Sequence, residues 1–539
     1  MVAVLPFEIW LKIFEYLPPA KRAELRTVNR QCLEIVRGIQ YRHLAIKGYD
    51  KRTKRLLKHI NTFALGYHVQ SLHVQAWAVS NVPSHKAYLG PGGRVSSVFD
   101  HLHSFFDSDF PTRRAEALVD KRMRKQVQLV RETAEKLGFV QEYKVEWNVD
   151  RPYHPELFTA FLSLVGVSPF GRTLNKLVLK VPTDKLVCLA PVQLPALVQL
   201  DLQLVTMSFS KGFIDDCFDY FSVFVNNLYP TLRSLSISSS HLCTNLDLHR
   251  LFHDLGDFPL LSSLTVSIPY DGAHLQSLDS LQFFIQKHKR TLRELNLLCS
   301  DRSATRTNPN DPCAKYWIQR TLKNIYTFGN LPNLSSLELA LRPLRSDLTP
   351  FLTFLASVAD RLESLALTDD ALSPVEVERV LDALTCSRIP AGKSNRNVIP
   401  GHSDLRHLSI RLQYLCPSTV DLLASRLQSL QSLKLTVSDV RFHQFDEVQL
   451  PSPTGFTFFE ELRMFYAEMI SRRYSEWKLS SLAVSECSYR FIEWGKDLEA
   501  VFMESSDSTQ ENSSQNFTDI HVKHNDLEYY CRTEDRGTM

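Results

Sequence analysis

The sequence lacks the features that mark several large classes of protein. Its ten cysteines lie singly along 539 residues with no C-x-x-C pair, which argues against a zinc module and a secreted disulfide scaffold. No apolar run approaches the roughly 18 residues that a membrane span needs. Basic and acidic side chains number 62 and 59, a balance that does not favour a dedicated nucleic-acid-binding protein. We therefore expect a protein of the cytoplasm or nucleus, with no nucleic-acid or membrane partner.

Motifs of the common enzyme classes are absent as well. There is no G-x-S-x-G and no H-E-x-x-H, and the glycine-rich stretch 90–93 is not followed by G-K-[ST]. Two histidine pairs could bind a metal, His101 with His103 and His521 with His524. Neither pair has a cysteine nearby, so surface histidines are the favoured interpretation. We predict no catalytic residue, no metal site and no cofactor.

Leucine provides the strongest positive signal. The chain is longer than the roughly 250–300 residues at which a single core stops growing, so several domains or a repeat array are expected. The pattern L-x-x-L-x-[LIV] occurs ten times, whereas chance would give roughly three matches. The spacings between matches, 23 to 49 residues, are typical of a solenoid. The first leucines are Leu174, Leu197, Leu232, Leu261, Leu292, Leu334, Leu362, Leu405, Leu430 and Leu479.

Each match predicts a short strand with one buried face, because alternate residues of a strand point to opposite sides. Segments between matches, such as 212–228, 275–288 and 350–362, read as helices. Looser matches begin at Val69 and Val140. Since one strand and one helix cannot bury their own apolar faces, neighbouring units must stack. The predicted fold is an irregular α/β leucine-rich-repeat solenoid, with parallel strands on the concave face and helices on the convex face. A leucine-rich α/β domain without true repeats is the alternative.

The array is predicted over residues 47–502. An insertion is expected at about 76–138, consisting of a polar loop at 80–95 and a charged helix at 113–137. The last segment, 503–539, is polar and acidic, and we expect part of it to be disordered.

The first 46 residues lack the leucine repeat and predict a module of three short helices. Pro6 stands at a helix N1 position, Pro18 and Pro19 stop that helix, and a third helix begins near Asn29. Such a small module buries too little apolar surface to be stable alone, so it must complete its core against the array or another protein. The apolar face of the first helix carries Ile9, Ile13, Phe14 and Leu17.

These residues form a series of motifs that resembles an F-box. The motif blocks are LPFEI at 5–9, IF at 13–14, LP at 17–18, LRTVNR at 25–30 and YRHL at 41–44. The rest of the sequence resembles the repeat half of F-box/leucine-rich-repeat proteins, especially the irregular fungal type.

The resemblance implies a substrate receptor of a Skp–cullin–F-box ubiquitin ligase. In that family the F-box binds the Skp adaptor, which docks on a cullin scaffold, while the repeats hold a protein substrate. One alternative is an F-box/leucine-rich-repeat interaction scaffold that engages no cullin; another is a plain repeat protein whose first helices cap the array. The adaptor anchors that the resemblance implies are Leu5, Pro6, Ile9, Ile13, Phe14, Leu17, Leu25 and Val28.

The substrate side is less specific. Residues between the leucines of each strand face away from the core, and here they are mostly small, with no dominant charge sign. Loops at 300–312 and 390–404 are expected to project from the rim and either contact substrate or be tolerated insertions. The candidate substrate contacts are Glu338, Thr368, Arg411 and Lys434.

Overall fold

The structure is a computed structural model in which the chain forms two compact units, Met1–Leu261 and Ser262–Met539. The residues that it describes are 6–47, 50–75, 110–147, 155–206, 209–300 except 241 and 244, 314–385 except 330, 404–441, parts of 463–486, and 519–520.

The first unit begins with the predicted helical module. Its helices are α1 (Phe7–Tyr16), α2 (Pro19–Leu25) and α3 (Arg30–Tyr41). Helix α3 starts at an N-cap, where the Asn29 side-chain oxygen accepts a hydrogen bond of 2.7 Å from the Cys32 backbone N–H. The buried core of this module consists of Phe14, Cys32, Ile35 and Val36, with Trp10, Leu11, Leu17, Leu25 and Ile39 packed around it.

A parallel sheet follows, whose strands pair in chain order. Its strands are β1 (His43–Ile46), β2 (Ser71–Gln75), β3 (Glu142–Glu146), β4 (Lys176–Pro182), β5 (Gln199–Val205) and β6 (Ser234–Ser239). The helices between strands are α4 (Lys51–Thr62), α5 (Phe110–Ala134), α6 (Pro155–Val167) and α7 (Lys211–Asn226), and α8 (Leu248–Asp254) follows β6. Turns of 3₁₀ helix lie at Leu65–His68, Pro169–Arg172 and Thr183–Leu189.

The second unit repeats the same alternation. Its parallel strands are β7 (Ser263–Ile268), β8 (Glu294–Cys299), β9 (Ser336–Ala340), β10 (Ser364–Thr368), β11 (His407–Leu412), β12 (Ser432–Val437), β13 (Ser481–Glu486) and β14 (Asp519–Ile520). Its helices are α9 (Asp279–Lys287), α10 (Trp317–Phe328), α11 (Thr349–Val358), α12 (Pro374–Thr385) and α13 (Pro417–Arg426). Its 3₁₀ turns are Ala314–Tyr316, Arg342–Leu344 and Ala359–Arg361.

The leucine pattern builds this sheet as predicted. The first leucine of every predicted repeat is buried, none with more than 6% of its surface exposed. A backbone contact sets the register from one repeat to the next: the Arg293 carbonyl accepts hydrogen bonds from the N–H groups of both Ser335 and Ser336, at 2.8 and 2.9 Å. The Ser335 carbonyl accepts in the same way from Glu363 and Ser364. The predicted fold class, a three-helix module followed by an α/β leucine-rich-repeat array, is confirmed.

The sheet starts earlier than predicted. Strand β1, placed inside the F-box at 1–46, pairs with β2, so that Leu44 lies beside Leu72. The segment Tyr41-x-x-Leu44-x-Ile46 is therefore a repeat with tyrosine in place of its first leucine. The last F-box motif is also the first repeat of the array.

Part of the predicted insertion also belongs to the array. The charged helix predicted at 113–137 forms as α5 and buries Met123 and Val130. The Asn61 side-chain amide of α4 donates a 3.0 Å hydrogen bond to the Thr133 hydroxyl of α5. Helix α5 is thus the packed connection between β2 and β3, whereas residues 76–109 lie outside the described part of the chain.

The predicted acidic tail contributes two residues to the sheet. Asp519 and Ile520 form β14, which pairs with the start of β13. The rest of 503–539 lies outside the described residues, so the expected disorder stays a prediction.

Candidate functional site

Helix α1 has an inner and an outer face. Phe14 is fully buried, and its ring meets Trp10 edge to face at a centroid distance of 6.3 Å. The side chains of Ile9, Ile13 and Tyr16 point outward, with 45%, 38% and 90% of their surfaces exposed. Positions i, i+4 and i+7 lie on one side of a helix, so these three form an apolar stripe, here called the outer stripe. An exposed apolar stripe on a helix is a typical protein-binding surface.

The predicted adaptor anchors differ in how exposed they are. Pro6 and Val28 are exposed, together with Ile9 and Ile13 of the outer stripe. Phe14 belongs to the core instead, because its side chain has no exposed surface. Two others, Leu17 and Leu25, are partly buried against that core, and Leu5 lies outside the described residues. Tyr16 was not among the predicted anchors, although its place seven residues after Ile9 puts it on the same helix face.

The helical module is attached to the sheet by polar contacts. The Tyr67 hydroxyl donates a 2.6 Å hydrogen bond to Glu34 of α3, and His68 Nε2 lies 3.4 Å from the same carboxylate. The hydrogen bond from Tyr67 lowers the pKa of Glu34, despite partial burial that would raise it. Arg42 Nε, just before β1, donates to the Gln70 side-chain oxygen at 2.9 Å. These contacts set the orientation of the module on the first strands.

A second candidate surface is the open face of each sheet, defined as the side opposite the buried leucines. In the first unit several of its charged side chains pair with one another, both within a strand and across strands. Glu146 lies 3.0 Å from His73 and 2.6 Å from Lys144, and Glu142 lies 3.3 Å from Lys176. Burial alone would raise the pKa of Glu146, but hydrogen bonds from Lys144 and His73 hold it below its usual value. This part of the open face satisfies its own charges.

The four predicted substrate contacts all lie on the open face of the second unit. Glu338 is on β9, Thr368 on β10, Arg411 on β11 and Lys434 on β12. Strand register places Glu338 and Lys434 in one row across the sheet, separated by Ala366 and Ser409. Their role in substrate binding stays a prediction.

Several predicted features fall outside the described residues. They include almost all of the loops at 300–312 and 390–404, and both histidine pairs. Among the helices that the structure describes, none combines the length and the apolar character required to cross a membrane.

Comparison with known proteins assigns the helical module. The F-box domain family matches residues 4–43, the segment that contains α1 to α3 and the outer stripe. The chain therefore carries an F-box domain, followed by strands that form a leucine-rich-repeat sheet. A search of curated proteins found no match. Among solved structures, the leucine-rich repeat-containing protein LegL7 from Legionella pneumophila is similar at 14% identity and a TM-score of 0.34. That match covers 67% of this chain and 98% of LegL7.

Proposed function

We propose that this protein is the substrate-recognition subunit of a Skp–cullin–F-box ubiquitin ligase. The observation that carries the proposal is the F-box match at 4–43, whose α1 presents an exposed apolar stripe. In this proposal the outer stripe contacts the Skp adaptor, which connects the protein to a cullin scaffold. We place this complex in the cytoplasm or nucleus, and the six cysteines in the described residues, none of which forms a disulfide, agree with a reducing compartment.

The proposed mechanism is proximity, and the chain itself performs no bond chemistry. The repeat array holds a protein substrate while the adaptor and cullin bring a ubiquitin-charged enzyme beside it, which raises the effective concentration of the substrate lysine. The F-box and strands β1 to β6 belong to one compact unit. Polar contacts at Glu34 and Arg42 tie them together, so the adaptor stands at a defined position relative to this part of the array.

The test is adaptor binding by a variant with Ile9→Ala and Ile13→Ala. Truncating a buried central anchor typically costs about 2 kcal/mol of binding, which corresponds to a loss of affinity of about 30-fold. We expect at least this loss for the pair, measured by surface plasmon resonance with the full-length chain and a purified Skp adaptor. Folding should be retained because both side chains are exposed in the free protein.

Val167→Ala is the matched control for this experiment. Val167 is also a β-branched side chain near a helix end, 63% exposed, but it lies in α6 outside the F-box. The control should bind the adaptor like the unaltered protein. Unchanged adaptor affinity in the Ile9 and Ile13 double variant would overturn the assignment of the outer stripe.

Recovery of a cullin separates the ligase subunit from the interaction scaffold. A ligase subunit purified from cells should carry both the adaptor and a cullin, and both should be lost in the double variant. An adaptor recovered without any cullin would favour the scaffold function instead.

A further inference from the structure

The open face of the second unit carries its charges in two separate groups. Carboxylates come from β8 and β9, where Glu294 and Glu338 lie on diagonal positions of neighbouring strands. Cations come from β11 and β12, where Arg411 and Lys434 are diagonal in the same way. Three strand spacings separate Glu338 from Lys434, which is about 14 Å at 4.7–4.9 Å per spacing.

Small side chains fill the space between the two groups. Strand β10 presents Ser364, Ala366 and Thr368 on this face, and β11 adds Ser409. None of these side chains is long enough to reach from one charged group to the other. The result is a shallow trough, with a floor of small and hydroxyl-bearing residues and opposite charges on its two sides.

Three of these four charges differ from Glu142 and Glu146 of the first unit, which form ion pairs. Within the described part of the chain, Glu294, Glu338 and Lys434 form no ion pair. Burial raises the pKa of Glu338 and the negative charge of Glu294 raises it further, while the positive charge of Lys434 lowers it. A cation placed between the two carboxylates would relieve this repulsion.

The acidic side of the trough is also held in position. The Asn296 side-chain amide donates to the Glu294 carboxylate at 2.9 Å and to the Thr265 hydroxyl at 3.0 Å. Asn296 itself is buried. Because the carboxylate of Glu294 is fixed before any partner arrives, less conformational entropy is lost on binding.

We propose that this trough binds an extended segment of a partner protein that carries one basic and one acidic side chain, two to five residues apart. The basic side chain lies over Glu294 and Glu338, the acidic one reaches Lys434, and the backbone crosses the small residues of β10. The spacing follows from the width of the trough, since about four residues of extended chain span 14 Å. The inference rests on the proposed function, in which this partner is the substrate.

The experiment begins with a random 12-residue peptide display library, selected on the full-length protein. Enriched peptides should contain a Lys or Arg and an Asp or Glu at the stated separation. One enriched peptide is then synthesised together with its charge-exchanged counterpart, in which the basic and acidic residues trade places. The unaltered protein should bind the original peptide at least several-fold more tightly, measured by fluorescence anisotropy.

A charge exchange in the protein provides the decisive comparison. The variant with Glu338→Lys and Lys434→Glu should lose this preference or prefer the counterpart. The matched control, Lys180→Glu with Asp201→Lys, makes the same exchange on β4 and β5 of the first unit and should keep the original preference. If the exchange lowers the melting temperature, the single variants Glu338→Gln and Lys434→Gln replace it. Each should lower the affinity for the original peptide about three- to tenfold.

Two outcomes would overturn the inference. One is a selection that enriches no opposite-charge pair at this separation; the other is a preference that survives both the exchange and the single neutral variants. Adaptor binding of the same variants, measured in parallel, should be unchanged. The peptide measurement therefore tests the trough alone, whereas the proposed function is tested by adaptor binding to the outer stripe of α1.

Discussion

Replacing Phe14 by alanine is expected to unfold the F-box module, with a loss of about 3–5 kcal/mol, the usual cost of removing a buried phenylalanine ring. The ring is fully buried and packs with Trp10, Cys32, Ile35 and Val36. Three short helices have little stability in reserve. Amide hydrogen exchange in 7–41 should therefore become fast, and adaptor binding should be lost as a consequence.

Tyr16→Ala is the control on the same helix, because 90% of the Tyr16 side chain is exposed. It should leave amide exchange in α1 and α3 unchanged. The comparison separates a core residue from a contact residue, which adaptor binding alone cannot do. Slow exchange throughout α1 in the Phe14 variant would contradict the burial described here.

Gly66→Ala is expected to destabilise the first unit by about 2–3 kcal/mol, in the range measured for overpacked sites. Gly66 lies in the 3₁₀ turn that leads to β2, where an added Cβ would stand only 2.4 Å from the Lys136 carbonyl oxygen. The obstacle is backbone, so it cannot move aside as a flexible side chain would. Thermal denaturation of the full-length protein should show a melting temperature lowered by several degrees.

Gly138→Ala provides the comparison, since no atom lies within 4 Å of the position that its Cβ would take. Gly138 follows Lys136 by two residues in the same connection to β3. This substitution should be neutral, or stabilising by up to about 1 kcal/mol because alanine restricts the unfolded chain. Equal melting temperatures for the two alanine variants would refute the close approach at Gly66.

Much of the array was predictable because each repeat buries leucines at the same spacing, which leaves a recurring pattern in the sequence. Each L-x-x-L-x-[LIV] match places its strand two residues after the first leucine, as at Leu174 and β4, or Leu334 and β9. The helices at 212–228, 275–288 and 350–362 formed as α7, α9 and α11, each shorter than predicted. Apolar periodicity identifies elements well, whereas helix ends depend on local capping.

Other features were not predictable because they depend on which neighbours a side chain meets. Ile13 and Phe14 are adjacent and both apolar, yet one is on the outer stripe and the other in the core. The repeat at Tyr41 was hidden because the same residues complete the F-box motif. The role of α5 was not predictable from its many charged residues, because its packing depends on a contact between Thr133 and Asn61 of α4.

The sequence by itself determined the class of this protein: an apolar helical module at residues 5–44 and a leucine period that requires stacked strand-and-helix units. It also determined which residues line the open face, since alternation along a strand decides that. Only the tertiary structure decided which of those charges meet. Register brings His73 of β2 beside Glu146 of β3 in the first unit, but keeps Glu338 and Lys434 three strands apart in the second. The physical reason is that cross-strand distances depend on pairing between segments far apart in the chain, which no local pattern specifies.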